Sequence, residues 1–191
     1  MKSPAHGGPA RGVTAPRHPG RFAARASGNA DRVNTGPAVL KSVWTEADFE
    51  AMNWHDAAVH AVAVEPAPPY PGRLLVDLDY IIERVPAEAP TTAPSFWVCP
   101  ATLVFGQARD LAADINLPGP SFEPSLDAIR RSGPDEDEVF VWNLVGRLFS
   151  IGLRAGGFTQ YLRRTPVHRP RPRLSAGERG GLSFDQTGYA R

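Results

Sequence analysis

The run "RLLVDLDYIIERV", residues 73–85, limits what this chain can fold into more than any other stretch. Leu74, Val76, Leu78, Tyr80 and Ile82 recur at every second position, and Leu75, Asp77, Asp79 and Ile81 alternate with them. Side chains alternate between the two faces of an extended strand, so this period puts the first set on one face and the acidic pair on the other. It predicts a half-buried strand with a polar pair on its outer face.

Strand character then recurs along the chain. "AAVHAVAVE" (57–65) precedes the run across a Pro-rich turn, and "SFWVCPATLVFGQ" (95–107) follows it. Pro100 has no N–H to donate, so an edge position or a bulge is expected there. "DLAADINL" (110–117) reads as a further strand. "VFVWNLVG", "RLFSIGLRAG" and "FTQYLRR" follow at close spacing, with Gly146 and Gly156–Gly157 between them supplying turn chemistry. Those three predict an antiparallel meander. Thr45 followed by Asp48 makes a capping-box-like start for a short helix over about 45–52, with Val43, Trp44 and Phe49 to pack it down. "LDAIRR" (126–131) reads as one helical turn. The expected fold class is α+β, mostly β: about seven strands in an antiparallel meander, forming a half-barrel or small sandwich with one or two short helices.

Charge divides the chain into three. Residues 1–37 carry six basic residues against one acid, residues 38–162 eight against seventeen, and residues 163–191 seven arginines against Glu178 and Asp185. An acidic body therefore stands between basic ends. Residues 1–40, Gly/Pro-punctuated and without hydrophobic period, read as a disordered basic arm. Residues 41–165 read as a single β-rich domain. Residues 166–191 read as a basic, Pro-rich tail, flexible over 166–173, with Leu174, Leu182 and Phe184 available to dock on the body. The hydrophobic fraction of 42% suffices for a core.

No apolar run reaches the roughly 18 residues that a membrane helix needs, and the N-terminus has no apolar h-region of a secretory signal. Its Arg-rich start has only a superficial likeness to an organellar transit peptide, because its Pro and Gly oppose an amphipathic helix. A start codon placed too early, with Met52 as an internal candidate, would also account for the arm. The lone Cys99 can form neither an internal disulfide nor a Cys-type zinc site, which fits a reducing compartment and a cytoplasmic location.

Three places offer chemistry. "NWHDAAVH" brings His55, Asp56 and His60 close together beside Trp54. The two histidines stand five positions apart, which suits neither one helix face nor one strand face, so a hydrogen-bonded corner with Trp54 plugging the core is preferred to a metal site. Asp77 and Asp79 share a strand face about 7 Å apart, with Glu83 continuing the row. Such a pair serves a divalent cation, an acid/base couple, a basic partner or simply solvent. The run Asp135, Glu136, Asp137 and Glu138 reads as a solvated acidic loop. Cys99 lies among apolar residues without an activating neighbour and reads as a buried hydrophobe. No phosphate loop, nucleophile elbow or paired Cys/His spacing is present, and no cofactor is expected. Nucleic acid is not expected as a partner, because the body is acidic and the ends are poor in aromatics.

The combination "NWHDAAVHAV", "LLVDLDYI" and "FWVCPATLVF" resembles a group of small, uncharacterised bacterial β-rich proteins. They share a Trp-His-Asp corner, an Asp-Leu-Asp-Tyr-Ile strand and a Pro-Ala-Thr-Leu-Val-Phe strand. The resemblance spans about residues 50–165 and implies a compact bacterial domain, with no activity or site residues to carry over. The general layout is loosely similar to immunity proteins of bacterial toxin systems. The expected function is a non-enzymatic interaction or immunity-type protein whose acidic surface, Asp77, Asp79, Glu83 and Asp135 to Glu138, meets a basic protein. The alternative is a metal-assisted hydrolase or small-ligand β-barrel that uses Asp77 and Asp79 with His55, Asp56 and His60.

Overall fold

The computed structural model describes residues 41–190 apart from 91, 117, 120 and 121. The arm assigned to residues 1–40 lies outside them. One compact unit takes in all the described residues, the tail beyond 165 included.

The strands are β1 (Val43–Thr45), β2 (Ala57–Ala67), β3 (Tyr70–Val85), β4 (Ser95–Ile115), β5 (Ser125–Ser132), β6 (Phe140–Gly146), β7 (Phe149–Ala155), β8 (Gly157–Leu162) and β9 (Val167–Arg169). They make one antiparallel sheet in the order β1-β8-β4-β3-β2-β5-β6-β7, with β9 on β4. A further pairing of β4 with β7 brings the path back on itself, so the sheet curls into a ring. It is not a closed barrel: β2 and β5 pair only through Ala57 and Ala58, and then separate.

The fold is mostly β, as the alternating runs predict, with nine strands in place of about seven. "LDAIRR" is the body of β5 rather than a helical turn, because its neighbour β6 supplies a ladder that a short segment with one apolar face accepts. "DLAADINL" is the far half of the long strand β4. The two extra strands, β1 and β9, have three residues each, too few to show a period.

The expected meander ends at β7. Gly156 and Gly157 do not turn the chain back; β7 and β8 both lie along β4, and the register Arg109↔Arg154 runs on as Gly106↔Gly157. Pro100 stands inside β4, opposite Asp79. Its carbonyl accepts from the Arg163 amide at 2.9 Å, on the side where β9 covers 96–98 and β8 begins at Ala101. The N and O of one strand residue face the same way, so the missing N–H lies toward Arg163, just past the end of β8, and not toward β3.

Leu74, Val76, Leu78 and Tyr80 of β3 enter the core inside the curl, among Trp54, Leu103, Phe105, Trp142, Leu153 and Phe158. Aromatic rings meet there, with Trp142 edge-on to Phe49, Phe105 and Phe158 at centroid distances of 5.3–5.7 Å. Trp142 Nε1 donates to the Ala155 carbonyl and Trp54 Nε1 to Gln160 Oε1, which satisfies both indoles. The predicted helix after Thr45 is a 3-10 turn, Glu46–Ala51, whose Asp48 carboxylate accepts from the Thr45 amide at 2.8 Å. The Lys41 ammonium and that amide together hold the Asp48 carboxyl below its ordinary value.

Candidate functional site

The second face of β3 is where sequence and structure differ most. Asp77 and Asp79, expected on a solvated or partner-facing strand, are fully buried. The C-terminal segment covers them. Leu174 is buried with Phe96 and Val98, against Ile81 and Val167, and a short helix α1 (Ala176–Arg179) follows. Ser175 caps that helix reciprocally with Glu178, and Gly180 leaves it in the left-handed conformation at φ +76°.

Arg179 lies within this cover, its side chain 3% exposed. Its Nη2 donates to Asp77 Oδ1 and its Nη1 to Asp79 Oδ1. Arg163 Nη2 adds a second bond to Asp77 Oδ1 at 2.7 Å, and Arg163 Nη1 reaches Thr102 Oγ1 and the Ser183 carbonyl. Main-chain amides complete the set: Ser183 N–H donates to Asp77 Oδ2 and Leu174 N–H to Asp79 Oδ2. His60 Nε2 stands 2.8 Å from the same Asp79 oxygen. Each carboxylate thus has three partners, and two guanidinium charges balance two carboxylate charges. A buried pair survives only when its charges are matched and its lone pairs occupied, and both conditions hold.

The carboxylates are therefore occupied by cations of the chain itself. His55 stands elsewhere. It is exposed, its amide donates to Asn53 Oδ1, and its Nδ1 lies 3.3 Å from the Asp127 carbonyl. Asp56 takes φ +66°, donates its amide to Leu126 and accepts from Arg84 Nη2 at 2.6 Å. With Trp54 buried beneath, "NWHD" builds a corner that leads into β2. His55, Asp56 and His60 do not converge. Among the described residues no group of three His, Cys, Asp or Glu side chains is placed to hold a metal ion.

The other acidic residues remain at the surface. Glu83 is exposed on β3 opposite Trp97. Asp135, Glu136, Asp137 and Glu138 are exposed in the loop before β6. Asp135 Oδ1 accepts from the Asp137 and Val139 amides, both at 3.0 Å, and its other oxygen accepts from Arg154. Asp137 pairs with Arg109 at 3.3 Å, and Asp110 lies 3.8 Å from Arg154. Exposed Leu111 follows Asp110 in sequence, and exposed Val141 stands opposite Arg154 in register.

Cys99 is buried, and burial, reinforced by the negative charge of Asp79, pushes its thiol pKa up. That leaves no thiolate for nucleophilic chemistry. On the side where β2 parts from β5, a cleft of about 310 Å³ opens between β2, the end of β4 and β7, with His60 in its wall.

Sequence reasoning paired the two aspartates correctly on one face and missed Arg163 and Arg179, which neutralise them. One signal was legible: "SAGE", Ser175 to Glu178, is a capping box, the mark of an ordered helix start rather than of a loose tail. Comparison with protein-family models, curated proteins and solved structures finds no match for this chain.

Proposed function

We propose that this is a non-enzymatic interaction protein of the immunity type, which meets a basic protein through the acidic loop of residues 135–138. With Asp77 and Asp79 engaged by the chain's own arginines, what remains exposed of the acidic surface expected from the sequence is Glu83 on β3 and the loop of residues 135–138. The observation that carries the reading is the internal bracing of the loop by Asp135, through two amides and Arg154. A loop already held in one shape pays less ordering entropy on binding, and Glu136 and Glu138 are displayed at its surface. Exposed Leu111 and Val141 give the patch the mixed acidic and apolar character of a binding surface.

The test is isolation of the protein from its own host under native conditions, beside the double charge reversal Glu136→Lys/Glu138→Lys. A basic protein retained by the wild type at low salt, released at high salt and absent from the variant is the expected result. Equal retention by both forms, or a bare polypeptide mass for both, overturns the reading.

A further inference from the structure

The cleft beside β2 has features that the acidic loop does not explain. Its floor is apolar and buried: Val59, Phe149 and Ile151 are 2–8% exposed. Its rim is apolar and exposed, with Val62 at 40% and Ile115 at 54%. Its volume of about 310 Å³ falls at the small end of the range of ligand pockets.

His60 is the polar group in this wall. It is the extra residue of a β-bulge: Val59 pairs with Leu78 and Ala61 with Asp77, which leaves His60 without an opposite number. Bulges re-aim single side chains and recur beside functional sites. The ring is held from behind by Asp79, at 2.8 Å from Nε2, and Asp79 is itself fixed by Arg179 and the Leu174 amide. A carboxylate only accepts, so Nε2 carries the proton. In the neutral imidazole that leaves Nδ1 as the acceptor. An anchored histidine with a defined tautomer, set in an apolar cleft, is a receptor for one hydrogen-bond donor on an otherwise apolar molecule.

We propose that this cleft binds a small aromatic molecule with a single hydroxyl or N–H, of the phenol or indole type, whose hydrogen is accepted by His60 Nδ1. The site is separate from the acidic loop, and its success or failure leaves the interaction reading untouched.

The probes are 2-naphthol and its isostere 2-methylnaphthalene, followed by NMR on the full chain. Binding of 2-naphthol is expected to shift the amides of residues 59–62 and 149–151 and to move the His60 Nδ1 nitrogen resonance in the direction of an accepted hydrogen bond. His60→Leu is expected to weaken 2-naphthol by about tenfold or more, the worth of one hydrogen bond in a dry site, and not to weaken 2-methylnaphthalene. If the variant fails to fold, the Nδ1 resonance of the wild type decides alone. The proposal is overturned if neither probe binds at its solubility limit, if the amide shifts fall elsewhere, if both probes weaken equally in the variant, or if Nδ1 does not respond.

Discussion

Arg179 closes the C-terminal segment onto Asp77, 102 residues earlier in the chain, by an Nη2 hydrogen bond to a carboxylate that no solvent reaches. The same guanidinium holds Asp79 through Nη1. Two like charges on one strand face are thereby turned from a repulsive pair into the anchor of a strap.

Arg179→Ala should be the most damaging single change in that strap. It leaves buried Asp77 with Arg163 as its remaining guanidinium partner and buried Asp79 with none, and removal of one member of a buried pair costs about 3–5 kcal/mol. Urea denaturation measures this directly. A loss below about 1 kcal/mol, the range of surface pairs, would mean that the strap does not contribute to stability.

Glu178 gives the strap a pH dependence. The Ser175 hydroxyl, then the Ser175 amide, then Arg169 hold its carboxyl down from 4.5 to about 2. A carboxylate whose folded value is depressed stabilises the fold above its unfolded value, and that contribution is lost as the pH falls through the folded one. The α1 cap should therefore hold at pH 5 and weaken between about pH 4.5 and pH 2. The Ser175 amide shift, followed by NMR, should titrate with a midpoint near pH 2, and Glu178→Gln should abolish the transition.

Cys99 should be silent in the folded protein. It is fully buried and its thiol pKa is raised, so a thiol reagent at pH 8 should meet it only when the core opens. Reaction with an aromatic disulfide should be absent without denaturant and complete in urea, across the same transition as tryptophan fluorescence. Rapid labelling of the native protein would contradict the burial of this strand.

Two strand glycines should respond oppositely to alanine. A Cβ on Gly146 collides with the Phe149 ring and the Ser125 carbonyl, whereas one on Gly106 meets nothing within 4 Å. Gly146→Ala should cost about 1–3 kcal/mol as an overpacked site. Gly106→Ala should be neutral or slightly stabilising, since alanine restricts the unfolded chain more than glycine does. Thermal midpoints of the two variants, measured side by side, check the contrast.

The local half of this structure could be read from the residues. Alternation along residues 73–85 put Leu74, Val76, Leu78, Tyr80 and Ile82 of β3 on the face that enters the core, and Thr45 with Asp48 marked the start of the helical turn. Trp54 as a core plug above a His55–Asp56 corner followed from spacing alone. These features depend on neighbours within a few positions, which is the range over which backbone period and capping act.

What occupies the outer face of β3 was decided by contacts across the chain. Nothing near Asp77 and Asp79 tells whether water, a metal, a partner or the protein itself will meet them. The answer came from Arg163 and Arg179, 86 and 100–102 residues on. Likewise "LDAIRR" carried a pattern too short to choose between helix and strand until β6 offered it a ladder. The sequence by itself determined the faces, the turns and the β-rich class, because these follow from alternation and local hydrogen bonding. Only the tertiary structure decided which face is solvated and where each charge finds its counterion, because burial and ion pairing are set by segments that meet once the chain has folded.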